Sequence, residues 1–232
     1  MLVFSLLSLN GLCFAADPPL PTPVGRVVWV RGNLIAGMDN REERLLQKLS
    51  VIYLHDILVT DNKSQAQIIF TDNTLVTFHE GTTFIVDQYS FNKAKEKNGS
   101  VGKYVMRLVE GGFRTITGLI AKNNPSDYQV NTPVATIGVR GTDYVVYYHN
   151  HKLDVGYYKG TPCVKDQGGK GFCLSKDMKY ATVSGSNMNV VLSNQQPTSL
   201  DEQLEIIPAQ ISPFYTPNTG SGGGVATSFC IQ

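Results

Sequence analysis

Short runs of β-branched and aromatic residues, broken at nearly regular intervals by turn-forming pairs, constrain this chain more than any other feature. Residues 24–30, 65–70, 74–78, 83–86, 103–109, 128–131, 143–149 and 153–158 are such runs. Between them stand Asp61-Asn62, Asp72-Asn73, Glu80-Gly81, Asn98-Gly99 and Gly111-Gly112. β-Branched side chains fit a pleated surface, while Asn and Gly accept the positive φ of a tight turn. The spacing predicts an all-β domain of many short strands, built as a sandwich, a roll or a solenoid-like stack. One segment departs from the pattern. In REERLLQKL, residues 41–49, the spacing of Leu45, Leu46 and Leu49 predicts a short helix, with an extended stretch as the alternative.

A chain of 232 residues can bury one substantial core without cross-links. Its formal charge of +1 creates no bulk field for nucleic acid or an anionic membrane. The first sixteen residues, MLVFSLLSLNGLCFAA, carry no charge and stop at Asp17-Pro18-Pro19. They are shorter than the roughly 20 apolar residues of a membrane span and read as a secretory signal peptide, cut after Ala15. Export to the periplasm or beyond follows as the expectation, with no integral membrane span.

An oxidising compartment favours pairing of cysteines. Cys163 and Cys173 bracket the glycine-rich loop VKDQGGKGF, and a disulfide there would add about 2–3 kcal/mol by loop closure. The spacing does not suit zinc, and no histidine follows. From residue 195 the composition changes: prolines at 197, 208, 213 and 217 precede GSGGG, which predicts an extended tail over 195–232 after a domain over 22–194. Ile206, Ile207, Phe214 and Tyr215 are apolar anchors in that tail, and Cys230 lies near its end. They are expected to dock on a partner or to fold back over the domain.

The stretch TPVATIGVRGTDY, residues 132–144, holds Arg140 between two glycines. Gly138 and Gly141 permit a turn or bulge, followed by Thr142, and the apolar flanks predict a structural Arg140 that is at least half buried and bonded to a carboxylate or to carbonyls. A ligand-binding arginine is the alternative. His149 and His151 fall on one face if the strand continues, but no third ligand accompanies them. No nucleophile elbow, phosphate-binding loop or zinc-protease motif occurs, so neither catalytic residues nor a cofactor or metal are expected.

Four blocks in order carry a resemblance. LHDILVT at 54–60, AQIIFTDNTL at 66–75, LVEGGFR at 108–114 and the 132–144 stretch together resemble the FecR-type domain. His55 and Asn73 stand where that family usually has glycine. Its best-known members join a cytoplasmic sigma-factor-binding segment and one membrane span to a periplasmic FecR-type domain. This chain is more similar to stand-alone exported members. The resemblance implies a non-enzymatic binding or scaffold protein of the cell envelope that contacts other envelope proteins. The alternative it implies is a sensory or regulatory module that recognises a ligand or receptor and works with a separate membrane signalling protein.

Overall fold

The computed structural model describes residues 21–39, 41–95, 101–184 and 189–200. Fifteen strands form within them: β1 (Pro23–Arg31), β2 (Leu34–Met38), β3 (Arg41–Leu46), β4 (Val51–Tyr53), β5 (Ile57–Thr60), β6 (Gln65–Phe70), β7 (Leu75–Phe78), β8 (Thr83–Phe91), β9 (Gly102–Ile116), β10 (Tyr128–Asn131), β11 (Ala135–His149), β12 (Lys152–Asp166), β13 (Gly171–Cys173), β14 (Tyr180–Ser184) and β15 (Asn189–Ser193). One short helix, α1 (Leu119–Asn123), and a few single 3-10 turns make up the rest. The all-β expectation holds. The described residues contain no helix long and apolar enough to cross a membrane, which says nothing of strands.

All the strands belong to one sheet folded over on itself. A first layer runs β4-β1-β6-β7-β9-β11-β12-β14-β15, and a second runs β3-β2-β5-β8-β9-β10-β11-β12-β13. Three strands of 15 residues, β9, β11 and β12, belong to both. Each crosses between layers at a glycine with positive φ: Gly111 at 83°, Gly141 at 58° and Gly160 at 85°. At Gly111 and Gly160 side chains are excluded by contact as well as by conformation, whereas at Gly141 conformation alone disfavours them. A Cβ on Gly111 would sit 2.5 Å from Thr82 Cα, and one on Gly160 would sit 2.4 Å from the Gly141 carbonyl oxygen. The Gly111-Gly112 pair, read from sequence as a turn, is thus a bend inside a strand.

The core lies between the layers and is aromatic. Phe78 of the first layer meets Phe84 of the second at 5.1 Å between ring centroids, and Phe84 meets Phe113 edge-on at 5.4 Å. Tyr104 stacks on Tyr128 at 4.4 Å, and the Tyr128 hydroxyl bonds that of Tyr144 at 2.9 Å. Burial pushes the Tyr104, Tyr128 and Tyr144 phenols well above their ordinary value, so they remain neutral donors and acceptors.

Two buried aspartates tie corners of the fold. Arg44 Nη2 donates to both oxygens of Asp56, at 2.6 and 2.7 Å, and the Tyr53 amide donates to Oδ2 at 2.8 Å. Asp72 accepts from the Thr74 amide and hydroxyl, the Tyr89 hydroxyl and the Ile120 amide, which pins the β6–β7 turn to the start of α1. Asn73 and His55, the departures from glycine, take φ of 67° and 72°. Asn is suited to that region; His55 reaches it as an exposed residue whose amide bonds Val86.

Three expectations need correction. Residues 41–46 are strand β3, because Leu34, Ile35 and Ala36 of β2 pair with Leu46, Leu45 and Arg44. Leu46 alone of that apolar trio is buried, whereas Leu45 is 70% exposed and Leu49 is 51% exposed with φ of 73°. His149 and His151 do not share a strand face, since Asn150 and His151 form the β11–β12 turn with φ of 49° and 59°. The ordered domain also runs past residue 194: Leu200 is buried and the Ser199 hydroxyl donates to Asp154 at 2.6 Å.

Candidate functional site

Directly opposed residues on neighbouring strands share a face, so the register traces a row along the face of the first layer opposite the core, where Gln67, Thr77 and Val145 are themselves covered. It reads Trp29, Gln67, Thr77, Arg114, Val145, Gly156, Tyr180 and Ser193 on eight successive strands. The residues next to them, including Ala66, Ile68, Phe78, Phe113, Val146 and Val155, point into the core. The row is polar at one end, where Trp29 Nε1 donates to Gln67 Oε1 at 2.8 Å, and aromatic at the other.

Arg114 is its centre. The guanidinium grips Asp143 through Nε to Oδ1 at 3.0 Å and Nη2 to Oδ2 at 2.9 Å, with 20% and 17% of the two side chains exposed. Its flat side covers the Tyr158 ring at 4.2 Å. The hydrogen bonds that it donates to Asp143 raise the guanidinium above its ordinary value; burial pushes the Tyr158 phenol up while Arg114 draws it back. Arg114, Asp143 and Tyr158 lie on three different strands, which is why spacing in the sequence does not join them.

Tyr158 also forms one wall of a cleft of about 360 Å³. The floor is Val145 and Gly156, the other walls are Tyr157, Tyr180, Gln196 and Leu200, and Lys176 and Lys179 stand at the rim. Tyr180 donates its hydroxyl to Gln196 Oε1 at 2.9 Å, and Gln196 Nε2 donates to the Leu200 carbonyl at 2.8 Å. The cleft owes its existence to a break in pairing. β14 leaves the edge of β12 at Gly156, opposite Tyr180, and the chain returns at Pro162, whose carbonyl accepts the Leu174 amide. Between them residues 175–179 turn away on a Ser175 to Met178 hydrogen-bond pair. The bulge at Gly141 and Gly160 adds local twist to the β11–β12 ladder at that point.

The residues singled out in the sequence are placed as follows. Gly141 does sit at a bulge, but Gly138 has neither positive φ nor any atom within 4 Å of a Cβ position. Thr142 locks β11 to residue 117, its amide donating to Thr117 Oγ1 at 2.8 Å and its carbonyl accepting the Thr117 amide at 2.9 Å. Arg140 contradicts the expectation of burial: it is exposed, and its side chain makes no hydrogen bond or ion pair with the described residues. Strand alternation explains it, since Val139 and Thr142 are buried on either side of the bulge and Arg140 is left outside. Cys163 and Cys173 are bonded to each other and pair β12 with β13. Ile206, Ile207, Phe214, Tyr215, Cys230 and the signal peptide lie outside the described residues. The described residues hold no group of three or more metal-ligating side chains. His149 instead pairs with Glu110 beside Tyr147.

The sequence profile of the family described as FecR protein matches residues 56–161. That stretch begins at the Asp56 carboxylate and contains Arg114, Asp143 and Tyr158, but ends before Lys176, Lys179 and Tyr180. No curated protein matches the sequence. Two crystal structures, at 2.50 and 1.65 Å, of a protein described as a "putative anti-sigma factor" from Parabacteroides distasonis ATCC 8503 are similar at TM-score 0.45 and 17% identity. The similarity covers 60% of this chain and 59% of each of those, so the chain spans less than two thirds of their length. Residues 56–161 are thus similar to the family described as FecR protein, and two of the motif blocks, 108–114 and 132–144, lie on the layer-crossing strands β9 and β11.

Proposed function

We propose that this protein is a non-catalytic sensory or regulatory module of the cell envelope, which recognises another protein and works with a separate membrane signalling protein. The observation that carries the reading is the FecR match over 56–161, which spans the strands shared by both layers and the Arg114, Asp143 and Tyr158 cluster. A scaffold role draws no separate support from these features. The Cys163–Cys173 bond suits an exported protein in an oxidising compartment. The outer face adds a second support: tyrosines and a planar guanidinium are the side chains that anchor protein interfaces, being large, stiff and able to hydrogen-bond.

Transcript profiling of a deletion strain, its parent and a complemented strain tests the reading. The expected result is a limited set of transcripts that changes on deletion and returns on complementation. An unchanged transcript profile, together with loss of some envelope assembly, would replace the regulatory role by a scaffolding one.

A further inference from the structure

We propose that the cleft between Tyr158 and Tyr180 is the recognition site for an acidic peptide segment of the partner protein, with its carboxylates held by Lys176 and Lys179. This assignment rests on the regulatory reading for the partner's existence and adds where and by what chemistry it binds.

Charge is the first argument. The nine cleft residues include two lysines, three tyrosines and a glutamine, and no carboxylate. Lys176 and Lys179 are exposed and make no ion pair with the described residues. Two acids stand close by on the lining strands, and both are engaged: Asp143 is held by Arg114 on both oxygens, and the buried Asp154 is paired with Lys152 and accepts from Thr182 and Ser199. Over residues 156–180 the chain carries Lys159, Lys165, Lys170, Lys176 and Lys179 against Asp166 and Asp177. Five minus two leaves a local excess of three positive charges in a chain whose total is only +1. Asp166 is moreover engaged in its own turn, accepting the Lys170 amide at 2.8 Å.

Backbone geometry is the second argument. The pairs Gly156 with Tyr180 and Cys163 with Cys173 have the same register, since each pair of residue numbers sums to 336. Residues 174–179 are therefore as many as the edge of β12 over 157–162 would need to continue the ladder, yet 175–179 fold outward. The vacancy is built into the fold rather than forced by a short loop. It leaves β12 backbone at the mouth of the cleft for a peptide to bond, which is how extended segments dock on sheets. Tyr158, 48% exposed, offers an apolar contact in the cleft, and Met178, 43% exposed, offers another on the 175–179 turn. Edge lysines elsewhere serve only to discourage strand pairing. Here they border a cavity with aromatic walls, which such protection does not require.

The test begins without assuming the ligand. Random peptides displayed on phage are selected against the immobilised full chain in its oxidised form, and the enriched sequences are resynthesised for fluorescence anisotropy. Acidic peptides are expected, with affinity at least about tenfold lower for the Lys176→Glu, Lys179→Glu double variant. Binding should also weaken between about 50 and about 500 mM NaCl, as solvent-accessible charge pairs do. The Lys176→Gln, Lys179→Gln variant is the companion should the reversed charges disturb folding, with thermal unfolding as the check. Enrichment of neutral or apolar peptides, or acidic ones indifferent to both variants, overturns the assignment. So does binding to phosphatidylglycerol vesicles with no peptide enriched. A gain in peptide affinity when Asp201, Glu202 and Glu205 are neutralised in the full chain would make this chain's own segment the occupant and overturn it likewise. The two readings fail separately in cells. A deletion that changes transcripts while the double variant does not removes the site but keeps the regulatory role; peptide binding at the cleft with unchanged transcripts does the reverse.

Discussion

Replacing Arg114 separates the arginine that holds this fold together from the one the sequence makes conspicuous. An exposed ion pair is worth about 0.2–1 kcal/mol, and removing one partner of a fully buried pair costs about 3–5 kcal/mol. Arg114 and Asp143 lie between these limits, at 20% and 17% exposure, with a two-pronged contact at 3.0 and 2.9 Å. The pair should therefore contribute about 2 kcal/mol, and the Tyr158 face about 0.5–1 kcal/mol more. Arg114→Met is expected to lower stability by about 2–3 kcal/mol, a fall in melting temperature of about 4–12 °C for a domain of this size. Arg140→Met, which loses no partner, should cost under about 0.5 kcal/mol. Urea unfolding of Arg114→Met, Asp143→Asn and the double variant isolates the pair, with an expected coupling of about 1.5–2 kcal/mol. A coupling below about 0.5 kcal/mol, or equal costs for Arg114→Met and Arg140→Met, would refute the reasoning.

Gly160→Ala should destabilise by about 3 kcal/mol, because it combines a left-handed residue with a Cβ that meets the Gly141 oxygen; a melting curve like that of the parent would show the bulge to be dispensable. Leu49→Gly should stabilise by about 1 kcal/mol, since an exposed leucine at φ of 73° gains little from burial and strains its backbone; a loss of stability in denaturant titration would mean that Leu49 has a contact worth more than the strain. Burial raises the Asp72 carboxyl above its ordinary 3.8, against the hydrogen bonds from Thr74, Ile120 and Tyr89 that pull it down. The native state then binds the proton more tightly than the unfolded chain, so this contribution is complete below 3.8 and is lost as pH rises through the folded value. The stability of the parent relative to Asp72→Asn should accordingly fall as pH rises through that window, and parallel pH profiles would exclude it.

Strand identity was legible wherever a run was β-branched and bounded by Asn or Gly, because pleat and turn chemistry are local. Cys163 and Cys173 were legible for the same reason, being ten residues apart around a glycine loop. The β3 segment was not, since its partner β2 overrides the helical spacing of three leucines, two of which never reach the core. Arg140 drew attention because two glycines frame it, while Arg114, which grips Asp143, closes the LVEGGFR block without any local sign of its partner. Its carboxylate lies 29 residues away, and that juxtaposition exists only once β9 and β11 pair. The cleft was beyond reach altogether. It depends on a bulge, a break in one ladder and residues 196–200 crossing an outer face, none of which leaves a local mark.

The layer-crossing strands set how this domain can respond to a bound partner. In a sandwich of separate sheets, one can slide over the other, and a binding event at one surface can reach the opposite one as shear. Here β9, β11 and β12 run as continuous struts through both layers, so any sliding would have to break ladders on both sides of each strut at once. Deformation is left to the periphery, to β13, β14, β15 and the 175–179 turn, which hang from β12 alone or from one another. On the proposed regulatory reading, a domain built this way would announce a partner by carrying it, as a rigid bracket whose occupied rim is offered to the next protein, rather than by changing shape.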